Sequence, residues 1–330
     1  MRKRLLSLLL VLACVLTLAV VPVVAAEPDP VQSTASVTEP TPTTDPESSP
    51  EPSSEPSPEP TSEPTSEPTP EPSPEPSPVP TPSGPWYQAA LDFACDHRIL
   101  LGDPSGNMMP NDNATRAQMA AMLVRVFGCT AGKDIAHFTD VSTTAWYYSE
   151  LSTAAQMNIF NGYGDGTMGP NRSITRQEAM IVIARAFAVP DGTAADIQAF
   201  RDASSVGSWA VAKVGGLVKA GIVNGDNGSL HPTASITRAE IAQMLYNLGL
   251  QFCSDAAALP ASGRVIYTGA APLTADAFTG TLYLGGPAGR DLGGMNITGT
   301  LVVRTDPNGT VTVGGTVDTL AVAAEDTTVA

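Results

Sequence analysis

Positively charged side chains are scarce in this sequence: 17 Lys and Arg stand against 33 Asp and Glu in 330 residues, for a net charge of −16. Three of the basic residues are Arg2, Lys3 and Arg4, and residues 27–83 hold twelve acids and no base, which leaves the rest of the chain at −7. A mildly acidic folded part lacks the electrostatic footprint for a phosphate backbone, which argues against a nucleic-acid partner. Histidine is equally sparse. His97, His137 and His231 lie in unrelated contexts, none beside a nucleophile or a ligand at a telling spacing, so no catalytic residue and no cofactor is assigned. Cysteine is limited to Cys14, Cys95, Cys129 and Cys253, at spacings unlike a zinc site. Cys14 falls in an apolar N-terminal run, and the other three are read as free thiols, with a Cys95–Cys129 bridge as the alternative.

That apolar run is uncharged over residues 5–26 and follows the basic start. Val24-Ala25-Ala26 before Glu27 completes the pattern of an export signal, with cleavage expected after Ala26. At 22 residues it exceeds the usual signal core of roughly 7–15. About 20 apolar residues span a bilayer, so a retained membrane anchor is the alternative. Residues 27–83 are a Pro, Ser, Thr and Glu tract in which Glu recurs at every fourth position from Glu51 to Glu75. Such a tract cannot bury a core and is expected to be disordered and extended. At ~3.1 Å per residue in the polyproline conformation it reaches roughly 180 Å, enough for a spacer.

From Trp86 onward the chain repeats. Ser235-Ile236-Thr237-Arg238-Ala239-Glu240 has earlier copies at Ser173-Ile174-Thr175-Arg176-Gln177-Glu178 and Asn113-Ala114-Thr115-Arg116-Ala117-Gln118, at intervals of 60 and 62 residues. A Thr followed three residues later by Glu or Gln, and then by an apolar helical pattern, is a capping box. In the first of these helices Met119, Met122, Leu123, Val126 and Phe127 form one core face. The box explains Thr and Glu but not Arg, because the positive end of a helix macrodipole favours an acid there. Arginines placed beside helix-terminal amides expected to be free suggest anion-binding corners. Each copy is preceded by an aromatic helix start (Trp86-Tyr87, Trp146-Tyr147, Trp209-Ala210) and a Gly-rich turn that includes Gly164 and Gly166 in the second unit. A Pro follows each turn, at Pro110, Pro170 and Pro232. Phe138-Thr139-Asp140-Val141 and Phe200-Arg201-Asp202-Ala203 open units two and three. Asp165 and Asp226 in the turns offer too few oxygens for calcium, so no metal is assigned.

These motifs, in this order, resemble the surface-layer homology family, whose repeats read F-x-D-V, W-Y, G-x-x-x-G, P and I-T-R-A-E. The resemblance implies a pseudo-threefold, mainly helical module that docks non-covalently to acidic secondary cell-wall polysaccharide, often through a pyruvylated terminal sugar held in grooves between repeats. It implies that Arg116, Arg176 and Arg238 receive the ligand carboxylate and that Trp86, Trp146 and Trp209 line or support the grooves. Gly164, Gly166 and their counterparts would close on the sugar. Asp140 and Asp202 are candidates for the same sites, with bracing of a neighbouring turn as the competing role. The chemistry is compatible: a planar guanidinium grips a carboxylate in bidentate fashion, and an aromatic face suits the apolar side of a sugar ring. The first unit departs by lacking Phe-x-Asp and by having Gln118 for Glu, and the third has Ala210 for Tyr. The expected order of site integrity is therefore second, third, first.

After Leu250 the composition turns to Gly, Thr and Val with short strand-like runs such as Gly280-Thr281-Leu282-Tyr283-Leu284 and Gly299-Thr300-Leu301-Val302-Val303. A β-solenoid is preferred over a meander or sandwich fragment. The pattern runs to Thr328-Val329-Ala330 without a polar capping rung, as in a truncated product or an assembly edge. The expected fold class is thus mainly α, with a disordered tract before the three-repeat module and a small β-rich segment after it. The boundaries are signal 1–26, tract 27–83, repeats 84–131, 135–193 and 197–250, linker 251–262 and β-rich segment 263–330. The expected function is non-enzymatic anchoring of an exported protein at the cell wall. A secreted carbohydrate-active enzyme carrying such anchors, or a membrane-to-wall tether, is the alternative. A membrane enters only if the N-terminal run is retained.

Overall fold

Each capping box starts a helix. In the computed structural model Thr115, Thr175 and Thr237 cap α2 (Arg116–Phe127), α4 (Arg176–Ala186) and α7 (Arg238–Asn247). In all three the Thr oxygen accepts the amide of the third helical residue, and that residue's Gln or Glu side chain accepts the Thr amide. The structure describes residues 84–323 and 326–330, so the export signal of residues 1–26 and the tract of 27–83 lie outside the described residues. Among the described residues no helix is long and apolar enough to cross a membrane.

The aromatic motifs lead into α1 (Gln88–Asp96), α3 (Tyr148–Gln156) and α6 (Val211–Lys219), and a single turn, α5 (Ala194–Ile197), precedes α6. These helices pack across repeats: α3 lies on α2, α6 on α4, and α1 on α7. The centre is a closed ring of backbone hydrogen bonds. Ala114 donates to Ile236 (2.9 Å), Ile236 to Ile174 (3.0 Å) and Ile174 to Ala114 (3.0 Å), with all three side chains fully buried.

The β-rich part begins earlier than the composition suggests. Strand β1 (Leu250–Cys253) occupies the start of the expected linker and pairs in parallel with β2 (Ser262–Tyr267). The main sheet continues through β3 (Ala277–Leu284), β5 (Asn296–Val303) and β7 (Val317–Val322), and a second sheet holds β4 (Arg290–Asp291), β6 (Thr310–Thr312) and β8 (Thr328–Val329). Every pairing in both sheets is parallel, which is the arrangement of stacked rungs and not of a meander. Gly280 and Gly299 pair in register at φ 123° and 132°; a Cβ on either would lie 2.2 or 2.1 Å from the carbonyl of the glycine on the previous rung.

A mainly α class is overturned. Among the described residues 29% are helical and 19% are in strands, with a β-solenoid-like C-terminal part. That part is not appended: Ile266, Tyr283 and Val302 belong to the same buried cluster as the repeats. Tyr283 donates its hydroxyl to Phe187 O (3.2 Å), and Asp306 accepts the amides of Thr130 and Ala131 (both 2.9 Å). Arg304, only 3% exposed, donates to the carbonyls of Met157, Arg185 and Ala186 at the ends of α3 and α4. Burial pulls its guanidinium down to about 10. Helix ends leave carbonyls unpaired, and a guanidinium from the solenoid takes them. Cys95, Cys129 and Cys253 are free. Burial pushes the Cys129 thiol up to about 12, so it is an inert core group.

Candidate functional site

The arginine that opens each capped helix is buried, at 0%, 8% and 5% exposure for Arg116, Arg176 and Arg238. Its guanidinium reaches into the Gly-rich turn of the following repeat. Nε donates to Met168 O from Arg116 (2.9 Å), to Leu230 O from Arg176 (2.9 Å) and to Met108 O from Arg238 (2.8 Å). The backbone amides are taken as well. Arg116 N and Ala117 N donate to Arg172 O and Pro170 O, Arg176 N and Gln177 N to Ala234 O and Pro232 O, and Arg238 N and Ala239 N to Asp112 O and Pro110 O. With the third amide on the Thr cap, the helix-terminal donors expected to be free are used inside the protein.

Asp140 and Asp202 serve the same turns. Asp140 accepts the amides of Met168 and Gly169 (both 2.8 Å), and Asp202 those of Leu230 and His231 (2.8 and 2.7 Å). One residue of each turn therefore gives its N–H to the aspartate and its C=O to the arginine. Partial burial pushes the Asp202 carboxyl up, but the Leu230 and His231 amides outweigh it and hold the group below its ordinary value. Asp140 stands 36 residues before Arg176 and Asp202 36 before Arg238, an interval that by itself would pair them within one unit. In space Asp140 goes with Arg116 and Asp202 with Arg176, because each arginine is held by the next repeat. Arg238 is the one without an aspartate.

The three guanidiniums meet different surroundings. Arg176 Nη1 is 2.7 Å from Glu240 Oε1. Arg116 lies 4.4 Å from the ring centre of Tyr163, which Arg172 covers at 4.5 Å and whose hydroxyl donates to Glu178 (3.2 Å). Burial pushes the Tyr163 phenol up to about 12; the Arg116 charge opposes the rise and Glu178 adds to it. Arg238 instead borders a groove of about 300 Å³, lined also by Leu101, Gly102, Gln118, Arg125 and Trp146. Its Nη2 donates to Leu101 O (2.7 Å), and no ion pair to Arg238 is present among the described residues. Burial pulls its guanidinium below the usual arginine value; Asp112 opposes the shift and Arg125 adds to it. Gln118 replaces the acid found at Glu178 and Glu240, so no carboxylate lines the groove that Arg238 and Arg125 border, while Arg125 Nη2 lies 4.0 Å from Glu150 Oε1 outside that lining.

Of the residues singled out from the sequence, the structure brings Arg238 and Trp146 together in this groove, while Arg116, Arg176, Trp209, Asp140, Asp202, Gly164 and Gly166 line other parts of the repeats. Trp86, Trp146 and Trp209 are 65%, 60% and 37% exposed. Gly164 and Gly166 shape their turn with φ 79° and 86°, and Gly166 O accepts the Thr139 amide (3.0 Å). The sequence reading did not single out Arg125 or Tyr163, and it counted Gln118 against the first unit's site. Tyr163 carried a signal: it stands where the other turns have Asp103 and Asp226.

Comparison with known proteins agrees with this architecture. The family model described as S-layer homology domain matches residues 81–120, 137–180 and 199–242. Over 158 residues the chain is 32% identical to a surface-layer 125 kDa protein of Lysinibacillus sphaericus, covering 46% of this chain and 13% of that one. It is 31% identical over 156 residues to a cellulosome-anchoring protein of Acetivibrio thermocellus, covering 44% and 34%. An amylopullulanase of Thermoanaerobacterium thermosulfurigenes is 30% identical over 167 residues, covering 49% and 9%. The chain thus spans about a third or less of each of these relatives, and such matches fall in the repeat region alone. S-layer homology domains are known for cell-surface anchoring. This chain carries three tandem S-layer homology domains.

Proposed function

We propose that the three-repeat module holds an exported protein at the cell wall by binding an acidic secondary wall polysaccharide, without catalysis. The Arg238 groove is its principal seat. The carrying observation is the inequality of the three guanidiniums: Arg176 is matched by Glu240, Arg116 is covered by Tyr163, and Arg238 faces Gln118. A ligand carboxylate, such as that of a pyruvate ketal, supplies beside Arg238 the charge that Gln118 lacks, in a bidentate geometry that suits guanidinium, with Arg125 at the rim of the groove. The exposed Trp146 offers its ring to the apolar face of the sugar. Arg116, Arg176, Asp140, Asp202, Gly164 and Gly166 hold the turns that shape the grooves, and Trp86 and Trp209 give the other repeats an aromatic surface. This places the best site against the first repeat's turn, the reverse of the ranking by motif completeness. The test is sedimentation of the full chain with purified cell-wall sacculi. The protein is expected in the pellet, and in the supernatant once the acidic polymer has been stripped. Equal retention by stripped sacculi, or none by intact ones, contradicts the proposal.

A further inference from the structure

The three Gly-rich turns share one backbone frame. Asp103 N donates to Asn107 O, Tyr163 N to Thr167 O and Asp226 N to Ser229 O, at 2.8 to 2.9 Å. Gly106, Gly166 and Gly228 have φ of 84°, 86° and 75°, and Met109, Gly169 and His231 have φ of 48°, 67° and 52°. The carbonyls of Met108, Met168 and Leu230 each accept an arginine Nε.

In the second and third repeats a Phe-x-Asp segment clamps this frame by three contacts. The ring of Phe138 or Phe200 covers the first glycine, so that a Cβ on Gly162 or Gly225 would lie 2.2 or 2.6 Å from it. The amide of Thr139 or Arg201 donates to Gly166 O or Gly228 O (3.0 and 2.9 Å). The aspartate then takes the two consecutive amides before the proline.

The first repeat has the frame without the clamp. The three atoms nearest a Cβ on Gly102 are backbone atoms of Gly106 and Asn107, with no ring among them. Among the described residues nothing donates to Gly106 O, and nothing accepts from Met108 N or Met109 N. Residues 1–85 contain no aromatic side chain. That stretch therefore has no Phe to place on Gly102.

We propose that the turn of residues 102–109 is a receptor for an extended peptide segment of the form aromatic-x-acid, supplied in trans. Its ring lies on Gly102, the amide of its middle residue donates to Gly106 O, and its carboxylate takes the amides of Met108 and Met109. The second and third repeats supply the precedent, because each binds that chemistry on the same frame. Two amides held in line by a left-handed residue form a small anion-binding concavity. The arrangement is independent of the polysaccharide reading, although Gly102 and Met109 also border the Arg238 groove.

The test uses the full, isotope-labelled chain and a free peptide with the sequence of residues 136–142, Ala-His-Phe-Thr-Asp-Val-Ser. The Met108 and Met109 amide resonances are expected to shift saturably, and those of Met168, Gly169, Leu230 and His231 to stay in place. Asp140→Asn and Phe138→Ala versions of the peptide are each expected to bind at least tenfold more weakly. The proposal is overturned by no saturation at millimolar peptide, by equal binding of the Asn version, or by shifts confined to other regions. It is also overturned if a uronic acid moves the Met108 and Met109 signals and the peptide does not. Sedimentation equilibrium then identifies the source of the segment. Self-association dissolved by the peptide assigns it to a second copy, and a monomer that binds peptide assigns it to another protein.

Discussion

Replacing Gln118 by Glu would give Arg238 the internal partner that Arg176 has in Glu240. The geometry is already displayed by that pair: 2.7 Å between Nη1 and Oε1, with side chains 9% and 29% exposed. Gln118 Oε1 accepts the Thr115 amide (3.0 Å), as Glu240 Oε2 accepts that of Thr237 (2.7 Å), so the cap survives the exchange. At an effective dielectric near 20 the gross attraction of two charges 4 Å apart is about 4 kcal/mol. Desolvation cancels most of this, so folding stability changes by about 1 kcal/mol or less. The ligand loses more. A hydrogen bond to a charged group contributes about 1.5–3 kcal/mol, and a ligand carboxylate that must first displace the introduced side chain would bind roughly tenfold to a hundredfold more weakly. The assay is calorimetric titration of wild type and Gln118→Glu with an acidic wall saccharide, beside urea unfolding of both. Equal or tighter binding by a stably folded Gln118→Glu variant would refute the assignment of the ligand carboxylate to Arg238.

Two further predictions concern the frame. Arg304→Met leaves the Met157, Arg185 and Ala186 carbonyls buried without a donor. At about 1 kcal/mol each or more, the expected loss is about 3 kcal/mol, or a drop in Tm of about 6–12 °C for a folded part of this size; a change below about 2 °C in scanning calorimetry would show that the solenoid does not brace the helix ends. Asp202 titrates below its ordinary value because two amides hold its charged form, so its stabilisation is complete above the unfolded pKa of ~3.9 and is lost as pH falls through the lower folded value. Asp202→Ala is therefore expected to lower the urea midpoint at pH 7 and to make the acid side of the stability profile shallower, and parallel profiles for the two proteins would contradict the clamp.

What could be read from the sequence is what is local. Thr115, Thr175 and Thr237 announce their helices because a capping box closes within four residues. The apolar spacing from Met119 to Phe127 likewise depends only on helix geometry, and those side chains are buried. The site was harder to read because its contacts cross repeats. An equal interval between Asp140 and Arg176 and between Asp202 and Arg238 looks like pairing within a unit, yet a rotation by one repeat preserves the interval while changing every partner. The arginines were unexplained by dipole arguments because their partners are carbonyls 52 to 130 residues away. The β-rich part was underestimated for a related reason. Nothing in the local pattern marks Arg304 or Tyr283, and only their docking on the ends of α3 and α4 makes them part of the core.

The ring of Ala114, Ile174 and Ile236 makes this array closed in a sense that stacked repeat proteins are not. In a linear solenoid each unit touches only its neighbours, ends fray first, and units can be added or removed singly. Here every repeat is a neighbour of both others, so no unit is terminal. Deleting one leaves two of its partners' hydrogen bonds open, and inserting a fourth has no angle left to occupy. The smallest piece that can be copied or transferred between genes as a working module is therefore the whole triplet. Chains that carry such repeats should gain and lose them in threes.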